Sequence, residues 1–168
     1  MGQDRHRLHW NPDAVVYTLD QFRDWMFGAV QGERCLYHIG QMLTDQEERP
    51  HLKPLGDYAA LMSDFGAVVI TQRRVDDGLY QYFAARRNFN LRTIPKSVAT
   101  GEIEVRVFLS LRAVHQRSSD MSARRAVRDA LSCSEAESQD MLDAMIKAEL
   151  VKHGRPPKIT DIGKAVLV

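Results

Sequence analysis

Residues 154–164 read GRPPKITDIGK, and this stretch decides the fold. Gly154, Arg155, Pro156, Pro157 and Lys158 stand between two short apolar runs, after which the chain restarts at Thr160 with Gly163 three residues on. Adjacent prolines cannot donate to a strand ladder, so the break is a tip that does not extend as regular sheet. Its cations face outward.

Working back from the tip, SEAESQDMLDAMIKAEL (134–150) opens with Ser134 and Glu137 spaced as a capping box, and Met141, Leu142, Met145 and Ile146 fall on one helical face. Before it, SARRAVRDAL (122–131) has an apolar stripe of Ala123, Ala126, Val127, Ala130 and Leu131, with Arg124, Arg125 and Arg128 opposite. A three-residue turn separates the two helices. In EIEVRVFLSLRAVHQ (102–116), Ile103, Val107, Leu111 and Val114 have helical spacing, and Glu102 and Glu104 are expected in the first turn, where the helix dipole favours anions. The β-branched content leaves a strand open for its first residues.

With these helices in place, AELVKHGRPPKITDIGKAVL (148–167) resembles the winged helix-turn-helix superfamily, in particular the MarR- and PadR-like bacterial regulators. The resemblance covers about the last 65 residues. It implies that Leu150 and Val151 begin a strand, Gly154 to Pro157 form a wing tip, Ile159 returns, and Thr160 caps a final helix. It also implies duplex DNA as partner, with the second helix of the motif in the major groove and flanking cations on phosphate. The residues expected to grip phosphate here are Arg124, Arg125, Arg128, Lys152, Arg155 and Lys158. The sequence departs from that pattern in the motif's second helix, where Glu135, Glu137, Asp140, Asp143 and Glu149 oppose Lys147 alone. Such acids repel a phosphate backbone. The alternative is a non-enzymatic adaptor or inhibitor that meets a basic protein surface through Glu135, Gln139, Asp140 and Asp143.

The first half repeats the grammar without a comparable motif. TLDQFRDWMFGAV (18–30) sets Leu19, Phe22, Met26 and Phe27 on one helical face with Thr18 as N-cap, RCLYHIGQM (34–42) is a strand, and QEERPHLK (46–53) is a polar loop or frayed turn. PLGDYAALMSDFG (54–66) is a helix with Leu55, Tyr58, Ala59, Leu61 and Met62 inside, stopped at Gly66. AVVITQRRV (67–75) and LYQYFAARR (79–87) form a hairpin through Asp-Asp-Gly. Arg73, Arg74, Arg86 and Arg87 make a second set of candidate phosphate contacts at opposite ends of the paired strands. Tyr80 and Tyr82 share a side, where cross-strand packing is favoured over base stacking. The expected fold class is α+β: an N-terminal arm (1–17), a winged-helix-like module (18–88), a linker (89–100) and a winged helix-turn-helix module (101–168).

Composition bounds the rest. The 168 residues are 44% hydrophobic and 27% charged, which suits a folded chain, and 23 Lys+Arg against 22 Asp+Glu give a net charge of +1. No global field draws this chain onto a polyanion, so any nucleic-acid contact is local. Cys35 and Cys133 have neither disulfide-framework nor metal-knuckle spacing, and a reducing, cytoplasmic setting follows. Residues 1–13, MGQDRHRLHWNPD, carry no signal-peptide core, and no apolar run reaches the length of a membrane span. No nucleophile elbow, phosphate-binding Gly loop or paired acidic metal motif is present, and His38 near Cys35 has no assignable partner. His6 and His9 alone among the remaining histidines have close spacing. The expectation is a DNA-binding regulatory protein of bacterial or phage type, without catalytic, metal or cofactor sites. Self-association as a homodimer is compatible with it.

Overall fold

A computed structural model describes residues 14–168. His6, His9 and most of the expected N-terminal arm lie outside the described residues. The chain is α+β and divides into two compact units, Met1–Phe89 and Asn90–Val168.

In the first unit, β1 (Ala14–Val15) precedes α1 (Leu19–Gly28). Residues 14 and 15 are therefore sheet and not arm: Ala14 pairs with Cys35 and Val15 with Leu36. Thr18 caps α1 as expected, accepting from the Gln21 amide at 3.2 Å while Gln21 Oε1 accepts from the Thr18 amide at 3.2 Å. The helix buries Phe22 and Met26. Next come β2 (Arg34–Gly40), α2 (Met42–Glu48), α3 (Leu52–Asp64), β3 (Val68–Asp76) and β4 (Leu79–Arg86). The expected polar loop at 46–53 is in part a true helix, because α2 starts upstream at Met42, its one buried residue. In α3, Pro54 stands in the first turn, where its missing N–H costs nothing. Leu55, Tyr58, Ala59, Leu61 and Met62 are buried as expected, with Leu52 added.

The sheet order is β1-β2-β4-β3, parallel between β1 and β2 and antiparallel elsewhere. The β3–β4 turn uses Gly78 at φ +71°, a left-handed position that favours glycine. At the core, Phe22 packs edge-on against Tyr37 and Tyr58, with ring centroids 5.6 and 6.1 Å away.

The second unit begins earlier than the expected boundary at residue 101. Residues 89–100 are not a plain linker: Leu91–Thr93 form a 3-10 turn and Lys96–Ala99 form α4, with Ile94 and Val98 buried. The Ser97 hydroxyl donates to the Val166 carbonyl at 2.9 Å, tying α4 to the last helix. Then α5 (Val105–Gln116), α6 (Ala123–Leu131) and α7 (Glu135–Lys147) pack around Leu111, Val114, Val127, Leu142 and Met145. The start of α5 is helical, so the strand alternative falls. Its N-cap is Glu104, which leaves no acid in the first turn, contrary to expectation. Ser134 and Glu137 do form the capping box of α7.

Strands β5 (Val151–Lys152) and β6 (Lys158–Ile159) pair antiparallel around the proline-containing tip, and α8 (Asp161–Val166) follows. The Thr160 side chain accepts from the Gly163 amide at 3.0 Å, capping α8. Gly163 is dictated by space, since a Cβ there would lie 2.2 Å from the Leu150 carbonyl oxygen. Thr160 and Gly163 thereby fasten α8 against the β5–β6 hairpin.

Candidate nucleic-acid interface

The two-residue ladder of β5 and β6 sets Lys152 directly opposite Lys158, and Arg155 stands exposed in the tip between them. Like charges placed opposite each other on a sheet repel, and among the described residues no ion pair relieves any of the three. The tip is held from below: the Arg117 guanidinium donates to the carbonyls of Val114 and Pro157, each at 2.6 Å, linking the end of α5 to the hairpin. Three solvated cations thus sit on an anchored support.

The arginines of α6 differ. Arg124 pairs with Glu135 at 2.7 Å, Arg125 with Asp129 at 3.6 Å, and Arg128 with the same Asp129 at 3.4 Å. All three remain partly solvated, but their charge is largely answered locally. The face of α7 is acidic as read: Glu135, Asp140 and Asp143 are exposed, and half-buried Gln139 donates to Asp143 at 2.9 Å. Glu149 lies beyond the helix, at φ +58°.

In the first unit the four candidate arginines separate. Arg73 is exposed and lies across from Gln81, and Arg74 is engaged by Asp77 in the hairpin turn. Arg87 is exposed. Arg86 is a correction: it is 7% exposed, and its guanidinium donates to the carbonyls of Ala67 (3.0 Å), Arg87 (2.5 Å) and Phe89 (3.2 Å). Burial lowers its ionisation from the usual arginine range, and the carbonyls take the place of water around the charge. It ties the end of β4 to the loop before β3 and cannot reach a phosphate. Arg86 shares a strand face with buried Ala84, but Phe83 on the other face is buried too, so alternation alone did not mark it.

Tyr80 and Tyr82 share a side, their centroids 6.5 Å apart, and Tyr82 is occupied by the fold. Its hydroxyl accepts from the Met42 amide at 3.2 Å, and its ring lies 6.3 Å from Tyr37 and 5.6 Å from His38. His38 does have a partner that the sequence did not reveal. Its Nε2 lies 2.7 Å from Asp45 Oδ2, and that oxygen also accepts from the Gln41 amide at 3.1 Å, so the pair fastens β2 to α2. Gly40, at φ +143°, makes room for it: a Cβ would lie 1.9 Å from the same carboxylate oxygen. The neighbouring Cys35 thiol is buried, and that burial pushes its ionisation up to about 12, so it is not a thiolate nucleophile at neutral pH.

Among the described residues no group of three or more His, Cys, Asp or Glu side chains could hold a metal ion, and no helix is long and apolar enough to cross a membrane. Comparison with protein-family models, with curated proteins and with solved structures gives no match for this chain.

Proposed function

We propose that both units are winged-helix modules and that the chain is a DNA-binding regulatory protein which grips duplex phosphates through the β5–β6 hairpin. The observation that carries this reading is the trio Lys152, Arg155 and Lys158, which has no ion pair among the described residues and sets two of its members in direct opposition on an anchored hairpin. A polyanion relieves that repulsion. Element order supports the module assignment: after the short β1, the first unit runs helix, strand, two helices and a hairpin, and in the second α5, α6 and α7 lead into a hairpin, with α4 before them and α8 after it. Because α7 presents acids, the contact is led by the wing, with α7 held off the groove floor. Arg73 and Arg87 are the exposed cations that the first unit can add.

A second reading rests on the same acidic helix. Asp140 and Asp143 would then meet a basic protein surface, and the chain would be an adaptor or inhibitor.

Fluorescence anisotropy with generic duplex at several salt concentrations separates the two. Three phosphate contacts predict a log-log salt slope of about −3, near −0.9 for each contact. Replacing Lys152, Arg155 and Lys158 together by Glu should abolish binding and leave the melting temperature nearly unchanged, since all three are exposed. The Asp140→Lys, Asp143→Lys double variant should bind duplex as well as wild type or better. No binding by wild type at low salt sinks the DNA reading and leaves the protein-partner reading.

A further inference from the structure

We infer that the cleft between α6 and α7 is a site for a free phosphate-class oxyanion, with Glu135 as its displaceable internal occupant. A cavity of about 310 Å³ lies there, lined by Ser122, Arg124, Arg125, Arg128, Glu135 and Ser138. A water molecule's share of the liquid is only about 30 Å³, so the space suits a small polyatomic ion with its residual solvent.

The lining is cationic and comes from one helix. Arg124 and Arg128 are four residues apart on α6, and Arg125 lies three before Arg128, so the three guanidiniums crowd a single turn and repel one another. Three carboxylates answer them, the first being Asp120, which interacts electrostatically with Arg125. Asp129, from α6 itself, takes Arg125 and Arg128, while Glu135 reaches Arg124 from the first residue of the next helix. Of these carboxylates only Glu135 lines the cleft, so the lining itself carries three cations and one anion. The N-terminus of nine-residue α6 adds to that positive excess, with Ser122 accepting from the Arg125 amide at 3.1 Å.

Glu135 is the group that can leave. Its side chain is 63% exposed, and the capping box of α7 is made by Ser134 and Glu137, so releasing Glu135 from Arg124 does not uncap the helix. Ser138 anchors the far wall by donating to the Glu135 backbone carbonyl at 2.8 Å, a bond independent of that side chain. A phosphate offers more acceptor oxygens and more charge than one carboxylate, and a guanidinium fork takes both ligands in the same bidentate manner. Exchange of one anion for the other on Arg124, with Arg128 closing in, needs no rearrangement of the backbone.

The site is read with inorganic phosphate in the absence of DNA, so it stands or falls apart from the hairpin reading. Calorimetric titration of the full chain at constant ionic strength should show binding. Glu135→Gln should tighten it at least about threefold by removing the competitor, and Arg124→Gln with Arg128→Gln should weaken it at least about tenfold. Lys53→Gln, an exposed change on α3 of the first unit, should leave it unchanged. If the double arginine variant fails to fold, Arg124→Lys, which keeps the charge but loses the fork, should show a smaller loss. Affinity that is equal or weaker in Glu135→Gln, or retained without the arginines, overturns the proposal. Silence towards phosphate combined with tighter duplex binding by Glu135→Gln also overturns it, and assigns the cleft to backbone phosphates of DNA.

Discussion

Arg86 and Arg87 are adjacent and chemically identical, yet one is a buried tie and the other a solvated cation. Position decides which: Arg86 ends β4 where the carbonyls of Ala67, Arg87 and Phe89 receive its guanidinium, and Arg87 lies past the strand. Residue-scale burial also sets the response to pH. Burial pushes the Cys35 thiol and the Tyr58 phenol each up to about 12, and it raises Tyr37 as well. In the unfolded chain these groups ionise at their ordinary values, near about 8.5 for thiol and about 10 for phenol. Above those values the unfolded state holds fewer protons than the folded state, so stability is complete at neutral pH and falls as pH rises towards 12. The slope approaches about 1.4 kcal/mol per pH unit for each group involved. Chemical denaturation between about pH 7 and pH 10 should show this decline, with a smaller one in Cys35→Ala. A flat profile would show that these groups titrate alike in both states. The burial of Tyr58 was legible from the α3 stripe, but the depth at which Cys35 is sealed was not, because Cys35, Leu36, Tyr37 and His38 are all buried and no alternation marks it.

At the scale of elements, legibility tracked the strength of the periodic signal. Helices with an apolar stripe, α1, α3, α6 and α7, form where the residues place them, with the Thr18 and Ser134 caps as read, although α3 starts two residues early at Leu52 and Phe27 and Ala130 of the expected stripes are exposed. Helix α2 was missed because it buries Met42 alone, and with it went the His38–Asp45 pair, whose second member sits on that helix. The Thr160–Gly163 spacing was legible as a helix start, but the reason for the glycine was not: the nearby carbonyl belongs to Leu150, thirteen residues upstream and just before β5. Two glycines of the same stretch therefore differ in tolerance. Gly163→Ala drives a methyl into backbone and should cost about 1–3 kcal/mol or more in urea denaturation. Gly154→Ala meets its nearest atom, the Pro156 carbonyl oxygen, at an ordinary 3.5 Å and should be close to neutral. Equal effects would mean that the α8 contact relaxes freely.

For the whole molecule, two units with separate cores were legible from the repeated grammar, but their border was displaced. Residues 88–101 lack a clean period, and such a stretch reads as a linker although part of it is folded. The second unit starts at Asn90, and the Ser97 bond to Val166 binds its beginning to its end. A fragment 90–168 should fold alone with a cooperative melt, whereas 101–168, cut at the sequence border, should melt lower for want of α4. Equal melting temperatures would show that α4 adds nothing to the unit.

The two thiols are distributed unequally over these units: Cys35 is sealed in the first, while Cys133 is half-buried in the second, between the end of α6 and the Ser134 cap of α7. For the experimenter the native chain is thus already a single-label protein. A maleimide fluorophore added under native conditions goes to position 133, two residues from Glu135, with no engineered cysteine and no background from the sealed thiol. Its emission would register exchange at Arg124 directly, as ions or duplex are added.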